Sequence, residues 1–361
     1  MSSDQRIDEL RVMIDAVDDE LLQLLNRRAA LVMEVGEVKR GEGTTTEFYR
    51  PEREAGILRR LLDANRGPLP PDDLARMMRE IISTCLSLEH ALRIAYLGPE
   101  GTYTHAAVLK QFGRAVTPVA AASVGDVFRD VEARACDYGV VPIENSIGGS
   151  INQTLDCLSE SQLQICAEVV LTIHHQLLSN CVNCGEIRRV YAHEQALAQC
   201  RAWLDQHLPA AERVAFGSNA AAAQHAAGEA GAAAIASSDA GQRYRLRVLA
   251  ANIEDYPHNT TRFAVLGRTV PRPSGDDVTS IMFALPNQPG ALHAILSVLA
   301  QRAISMSRIE SRPARNGMWD YLFFVDLRGH AEEPTVAAAL AEIAGRASSF
   351  KLLGSCPRAV L

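Results

Sequence analysis

From residue 5 to residue 40 the sequence has no proline and a single glycine, Gly36, and its apolar residues recur at helical spacing. A helix of that length extends about 54 Å at 1.5 Å per residue. The helical stretches after it are too short to cover it. A second helix is predicted from about Pro51 to Ala64, after a polar turn at 41–47. NRGPLPPDD (65–73) breaks it, and Asp72 or Asp73 is expected to cap a third helix reaching about Leu92. The partner for the long helix is then a second copy of the chain.

One face of that helix, taken in steps of three and four, holds Arg11, Ile14, Asp18, Leu21, Leu25, Arg28, Val32, Val35 and Lys39. Leucine and valine belong on a packed seam, but three cations need a reason. Either they lie at its edge with their heads in water, or they gather around a buried anion; three on one seam favour the anion. The second helix adds Arg53 and Glu54 near its start, after Arg50, and the third adds Cys85 and Glu89 at i,i+4 spacing. Several cations and two carboxylates, without a nucleophile or a metal, suit a reaction that needs conformational capture and charge stabilisation.

From Arg93 the period changes. RIAYLG (93–98), YGVVPI (138–143), AEVVLTIHHQLL (167–178), RRVYAH (188–193), RVAFGS (213–218), AAAIAS (232–237) and RFAVLG (262–267) read as strands between alanine-rich helices. That alternation predicts α/β layers on a largely parallel sheet. RTVPRPSGDD (268–277) reads as a linker. Beyond it the pattern is strand (279–285), helix (290–302), strands (304–312 and 319–327), helix (333–345) and strand (350–354), the βαββαβ order of a ferredoxin-like α+β unit. The expected organisation is an all-α region at 1–92, an α/β region at 93–268 and the α+β region at 278–361.

The 361 residues exceed one ordinary core. A net charge of −7 disfavours nucleic acid as a partner, no apolar stretch is long enough to cross a bilayer, and MSSDQRIDEL lacks the apolar run of a signal peptide. The eight cysteines are therefore expected as reduced thiols in the cytoplasm. CVNC (181–184) with His174 and His175 is the one arrangement that resembles a zinc site. It has no second CxxC, and both histidines follow an apolar strand-like run, so neither metal nor cofactor is expected.

Three polar loops stand where strands meet loops. YLGPEGTYTHAA (96–107) offers Thr102 and Thr104 at a helix start, a plausible anion cradle. VPIENSIGGSINQTLD (141–156) presents Glu144, Asn145 and Ser146. HNTTRF (258–263) presents Thr260, Thr261 and Arg262 just before an apolar strand. Each alone is ordinary capping; three together favour one cleft. Farther on, Gly290 in NQPGAL permits close backbone approach and the helix after it can receive a carboxylate. A tight turn there, and a plain strand end at IESRP (309–313), explain those strings equally well.

LRVMIDAVDDELLQLLNRRAALVMEVGEVK followed by YRPERE resembles the all-helical chorismate mutase domain. The resemblance implies an intertwined homodimer in which one protomer's Arg11 reaches the other's site. Arg28 and Lys39 would bind the substrate carboxylates and ether oxygen, Arg53 would support them, and Glu54 would take the ring hydroxyl. Arg50 stands where some relatives have an acidic residue, and Glu89 where some have glutamine. A glutamate helps the ether oxygen only when protonated, so mutase activity is expected to rise toward acid pH. GPEGTYTHAA, PIENSIGGSINQTLD, HEQALAQCRAWL and NTTRF strongly resemble prephenate dehydratase, with two lobes around a cleft as in periplasmic binding proteins. There Thr261 matches the essential threonine and Arg262 is expected on a substrate carboxylate. Glu144 is a candidate proton source or a loop cap, and Asn145, Ser146, Gln199, Thr102, Thr104 and Thr260 are candidate binding groups. Ala192 replaces a serine common before the HEQ motif.

The last strings resemble the ACT regulatory domain. That implies phenylalanine bound by Gly290, Ala291 and Leu292 and by Glu310, Ser311, Arg312 and Pro313, between paired domains, as a feedback inhibitor. Together these resemblances imply an enzyme acting on chorismate and prephenate. The alternatives are a non-catalytic amino-acid sensor with a binding-protein core and a dehydratase with a weakened mutase region.

Overall fold

The computed structural model describes residues 3–41, 48–313 and 321–360. Most of the turn expected at 41–47, and the first two residues of the strand expected at 319–327, fall outside them.

Three helices come first: α1 (Ser3–Gly41), α2 (Pro51–Ala64) and α3 (Pro71–Glu89). Pro51 and Pro71 open their helices at positions whose N–H would be unpaired anyway. The cap expected for α3 is corrected: Pro70 precedes the helix, and Asp72 and Asp73 lie inside its first turn, where they complement the helix dipole. With 39 residues, α1 is about 58 Å long. Gly36 is its one buried residue among those described, while apolar side chains from Ile7 to Val38 stand exposed. Among the described residues its C-terminal part packs against α3 and, across a cavity, faces α2.

The next region has two lobes. The first contains β1 (Arg93–Leu97), α4 (Tyr103–Phe112), β2 (Thr117–Ala121), α5 (Val124–Glu132), β3 (Tyr138–Asn145), β4 (Gly149–Ser150), α6 (Asn152–Glu160) and β5 (Gln164–Thr172). The second contains β6 (Gln176–Ser179), β7 (Arg189–Ala192), α7 (Glu194–Gln199), α8 (Arg201–His207), β8 (Glu212–Ala215), α9 (Asn219–Ala226), β9 (Ala232–Ala236), α10 (Ser238–Tyr244) and β10 (Arg247–Ala250). The chain then returns to the first lobe as β11 (Thr260–Gly267). The sheet orders are β2-β1-β3-β11-β5, with β4 beside β3, and β10-β6-β9-β7-β8.

Two expectations change here. AEVVLTIHHQLL is two strands: β5 ends at Thr172 in the first sheet and β6 begins at Gln176 in the second, so the chain crosses between lobes at 173–175. Both sheets are mixed rather than largely parallel. β11 runs antiparallel to β3 and β5, and β6 runs antiparallel to β9 and β10, because each crossing reverses the chain's direction.

The last region keeps the expected order: β12 (Asp277–Leu285), α11 (Ala291–Gln301), β13 (Met306–Pro313), β14 (Tyr321–Arg328), α12 (Pro334–Arg346) and β15 (Ser349–Pro357). Its antiparallel sheet is ordered β13-β14-β12-β15. Alternate residues divide its faces. Phe283, Phe323 and Val325 pack under α11 and α12, whereas Met282, Phe324 and Leu353 pack with Leu155 and Leu158 of the first lobe. The approach is close at Gly354, where an added Cβ would lie 2.2 Å from the Ile165 carbonyl oxygen. Among the described residues no helix is long and apolar enough to cross a membrane.

Two candidate active sites

A cavity of about 360 Å³ opens where the three N-terminal helices meet. Arg28, Val32, Val35 and Lys39 enter it from α1, Arg53, Glu54 and Ile57 from α2, and Ile82, Leu86 and Glu89 from α3; Phe48, Tyr49 and Arg50 complete it. The helical stripe thus delivers Arg28 and Lys39 to one hollow, away from bulk water. One terminal nitrogen of Arg28 is buried without a hydrogen-bond partner among the described residues, so a donor stands ready for an incoming acceptor. Lys39 Nζ donates to Glu89 Oε1 at 3.1 Å and lies 5.8 Å from the centre of the Phe48 ring. Gly36 makes room for that pair: a Cβ there would sit 2.7 Å from Glu89 Cγ.

Burial pushes the Glu54 carboxyl up to about 7, against the opposing pull of Arg79 3.7 Å away. Burial first, and Glu54 second, also raise the Tyr49 phenol. Cys85 does not join them. It is buried in α3, while Ile82, Leu86 and Glu89 form that helix's lining. Arg11 is exposed and paired with Asp8, about 25 Å along the helix from Arg28, so it serves no cavity of its own protomer.

The second site lies between the lobes. Thr261, at the start of β11, is buried, and its Oγ1 accepts a hydrogen bond from Asn145 Nδ2 at 2.9 Å. The same amide donates to Asn259 Oδ1 at 2.7 Å, and Asn259 Nδ2 donates to Gln199 Oε1 at 3.1 Å. His175 Nε2 meets that oxygen at 2.8 Å, and the Tyr103 hydroxyl lies 3.2 Å from His175 Nδ1. Because Gln199 Oε1 can only accept, Nε2 is assigned the proton, and burial holds the imidazole below its ordinary value, toward the neutral form. Gln199 Nε2 is buried without a partner. The chain of polar groups therefore runs from the first lobe into the second and back.

Ser146 ties the two loops together: its hydroxyl accepts from Thr260 N at 2.9 Å and its N–H donates to Thr260 O at 2.8 Å. Thr102 caps α4, accepting from His105 N and donating to Leu97 O, and Thr104 is buried beside it. Asn259, His175 and Tyr103 were not anticipated here. Asn259 lies inside the HNTTRF string, and the signal for His175 was a histidine between two buried strands. His174 bonds Glu254 at 2.7 Å, so the two histidines of the imagined zinc site are engaged away from CVNC.

Two anticipated residues face elsewhere. HNTTRF does not precede its strand; Thr260, Thr261 and Arg262 are its first three residues, so Thr261 and Arg262 point to opposite faces. Thr261 pairs with Asn145, and Arg262 with Glu144, across β3. Arg262 donates to Glu144 Oε2 at 2.8 Å, to Glu168, and to Asp326 of β14 at 3.0 Å. Neither a substrate clamp at Arg262 nor a proton source at Glu144 fits: both belong to an ion cluster against the C-terminal region. Strand alternation, applied one residue earlier, would have found this.

The same face carries part of the third motif. Glu310 accepts from Ser150 Oγ at 3.0 Å, and Arg312 donates to Asn152 O at 3.0 Å and to Asp156 at 2.6 Å. Ser311 and Pro313 are exposed on the other side of β13. Gly290, at φ 81°, forms the turn before Ala291 and Leu292 in α11.

Three family models match in order: Chorismate mutase type II over residues 10–90, Prephenate dehydratase over 94–271 and ACT domain over 279–345. The chain is 47% identical over 365 aligned residues to a bifunctional chorismate mutase/prephenate dehydratase of Pseudomonas aeruginosa, covering 100% of both. It is 47% identical to one of Neisseria gonorrhoeae, covering 99% of each. Among solved structures, prephenate dehydratase from Arthrobacter aurescens in complex with L-Phe matches 74% of this chain and 90% of its own, at 37% identity and a TM-score of 0.69.

Proposed function

The chain belongs to the bifunctional chorismate mutase/prephenate dehydratase family, and from that premise we propose how its residues divide the work. It converts chorismate to prephenate and prephenate to phenylpyruvate. In the first reaction Arg28 and Lys39 hold the substrate carboxylates and the ether oxygen, with Arg50 and Arg53 at the rim. Glu54 accepts a hydrogen bond from the ring hydroxyl, which needs its ionised form. Glu89, ion-paired with Lys39, lines the same cavity at the position where some relatives have glutamine. The exposed apolar face of α1 supports a homodimer, whose second copy brings Arg11 into the cavity. The observation that carries this reading is the unpartnered, buried nitrogen of Arg28 among cations aimed into one hollow.

In the second reaction Thr261 serves the departing hydroxide. Its oxygen accepts from Asn145, so its proton remains free for the leaving oxygen. Loss of carbon dioxide and hydroxide leaves an aromatic ring, which drives the step. Ser146, Thr260, Gln199, Thr102 and Thr104 remain the proposed binding set. Phenylalanine binds Gly290–Leu292 and Glu310–Pro313 between paired C-terminal domains and inhibits by favouring one state. The L-Phe complex of the related dehydratase supports this, as does the reach of Glu310 and Arg312 to Ser150 and Asp156. The proposed domains are 1–92, 93–268 and 278–361, in a cytoplasmic enzyme.

The test is to supply chorismate to purified protein and follow prephenate and phenylpyruvate, with and without phenylalanine. Both products should form, and phenylalanine should suppress the second. Phenylalanine binding without turnover would mean a sensor. Turnover of prephenate alone would mean a weakened mutase.

A further inference from the structure

Behind the mutase cavity, on the far side of Glu54, stands Arg79 of α3. It is absent from the cavity lining, and its side chain is only 11% exposed. Its Nε is 3.7 Å from Glu54 Oε1 and is buried without a hydrogen-bond partner, and NH2 donates to the carbonyl of Val360 at 2.5 Å. Val360 lies just beyond β15, in the C-terminal region. Pro357, Arg358 and Val360 close a space of only about 20 Å³ around Glu54 and Arg79. That is room for about one water, and of the charges near Glu54 it is Arg79 that pulls its carboxyl down. A second arginine fastens the helix that carries Glu54: Arg59 of α2 donates to Ser274 Oγ at 3.0 Å and to Asp276 O at 2.9 Å.

We propose that Arg79 is a positioning residue of the mutase site, holding Glu54 ionised and aimed into the cavity, and that segment 357–360 holds Arg79. This rests on the reading that Glu54 accepts the ring hydroxyl. Burial raises this carboxyl and the nearby cation pulls it partly back; without the cation it takes up its proton at still higher pH and loses its use as an acceptor. A guanidinium suits the task because it cannot deprotonate, and it keeps its charge 3.7 Å from the carboxylate while another of its nitrogens bonds the Val360 carbonyl. The mutase site is in this way completed by the opposite end of the chain.

The other charges around Glu54 are fixed points in the test. On the cavity side they are Arg28, Lys39, Arg50, Arg53 and Glu89; behind it are Glu168 and Arg358, with the Tyr49 phenol alongside. All persist when Arg79 alone is changed.

The experiment is the mutase rate between about pH 5 and pH 9 for the full chain, Glu54→Gln, Arg79→Met and Arg79→Lys. Dehydratase turnover of supplied prephenate serves as the check on folding. The wild-type rate should fall toward acid, and Glu54→Gln should remove that limb. Arg79→Met should move its midpoint up by about one pH unit, since a nearby opposite charge shifts a carboxyl by that order. Arg79→Lys should return most of the shift, and removing residues 359–361, which keeps Arg358, should move the midpoint as Arg79→Met does. An unmoved midpoint in Arg79→Met, with the rate lowered equally at every pH, would make Arg79 merely structural and overturn the proposal. A truncated chain with the wild-type midpoint would strike out the role of 357–360. If Glu54→Gln alone changes neither rate nor profile, the assignment of Glu54 is what fails, and the proposal falls with it. Should Arg79→Met lose dehydratase turnover as well, Arg79→Lys decides, because a wild-type profile is expected from the retained cation and a uniform loss is not.

Discussion

The helical cavity, proposed for the mutase step, collects charge, while the cluster between the lobes, proposed for the dehydratase step, sits at strand ends and collects neutral donors and acceptors. In the cavity Arg28, Lys39, Arg53, Glu54 and Glu89 face a common space. In the cleft Thr261, Asn145, Asn259, Gln199 and His175 form a chain without a formal charge. The ionised groups of the same strands, Arg262 and Glu144, lie on the opposite face of the sheet. The difference matches the two chemistries. A rearrangement that breaks an ether bond develops charge within one molecule, and fixed cations stabilise it. Expulsion of hydroxide needs a hydrogen bond at one oxygen. The strand that carries Thr261, the residue proposed to provide it, uses its other face for a salt-bridge contact with Asp326 of the C-terminal region.

The sharpest way to break this contrast is Thr261→Ala. It should cut phenylpyruvate formation by about a hundredfold or more, the usual cost of losing one donor aimed at developing charge. Mutase turnover, measured separately from chorismate to prephenate, should stay intact. Parallel loss of both activities would mean that the two sites are not separate. Glu54 gives the next largest effect. Its carboxyl is pushed up to about 7 by burial, so it is neutral below that pH and ionised above it. If its ionised form accepts the ring hydroxyl, the mutase rate should fall about tenfold between pH 8 and pH 6. Glu54→Gln should flatten that limb. A profile rising toward acid instead, and flattened by Glu89→Gln, would make Glu89 the dominant group.

Most of this architecture was legible in the residues alone. The cavity could be read because helical period is regular: once Arg28 and Lys39 fall on one stripe, they share a face whatever packs against it. That held for Glu54 and Glu89. Cys85 was grouped with Glu89 by its i,i+4 spacing, but it sits at the edge of the arc that Ile82, Leu86 and Glu89 line and is buried within the protein. The cleft was read as whole strings, and a string such as TRF mixes two faces of one strand. AEVVLTIHHQLL misled for a related reason. The polar His174, His175 and Gln176 mark the crossing between lobes, but the apolar runs on either side read together as one strand. Asn259 was read only as part of the polar string HNTTRF, and His175 with His174 as an imagined zinc site, so neither was given its own place in the chain of polar groups. Arg79 was hidden because its partners, Glu54 and Val360, are far apart in the chain.

The smallest expected effect tests the division of faces most directly. Arg262 is adjacent to Thr261 in sequence, yet it pairs with Glu144, Glu168 and Asp326. If it served a substrate carboxylate, Arg262→Met would raise the dehydratase KM by about a hundredfold, as a charged hydrogen bond is lost. Facing away, it should change kcat and KM for prephenate by only about threefold. The larger change should be in the phenylalanine concentration that half-inhibits the enzyme, because the cluster joins β11 to β14 and breaking it alters the coupling between the two regions. Removing the arginine also leaves three carboxylates close together, with Glu168 already pushed up by burial. Some loss of stability should accompany the change, and the double variant Arg262→Met with Glu168→Gln should recover part of it by relieving that repulsion. A KM effect that survives in the double variant would return Arg262 to the substrate and remove the contrast between the two faces.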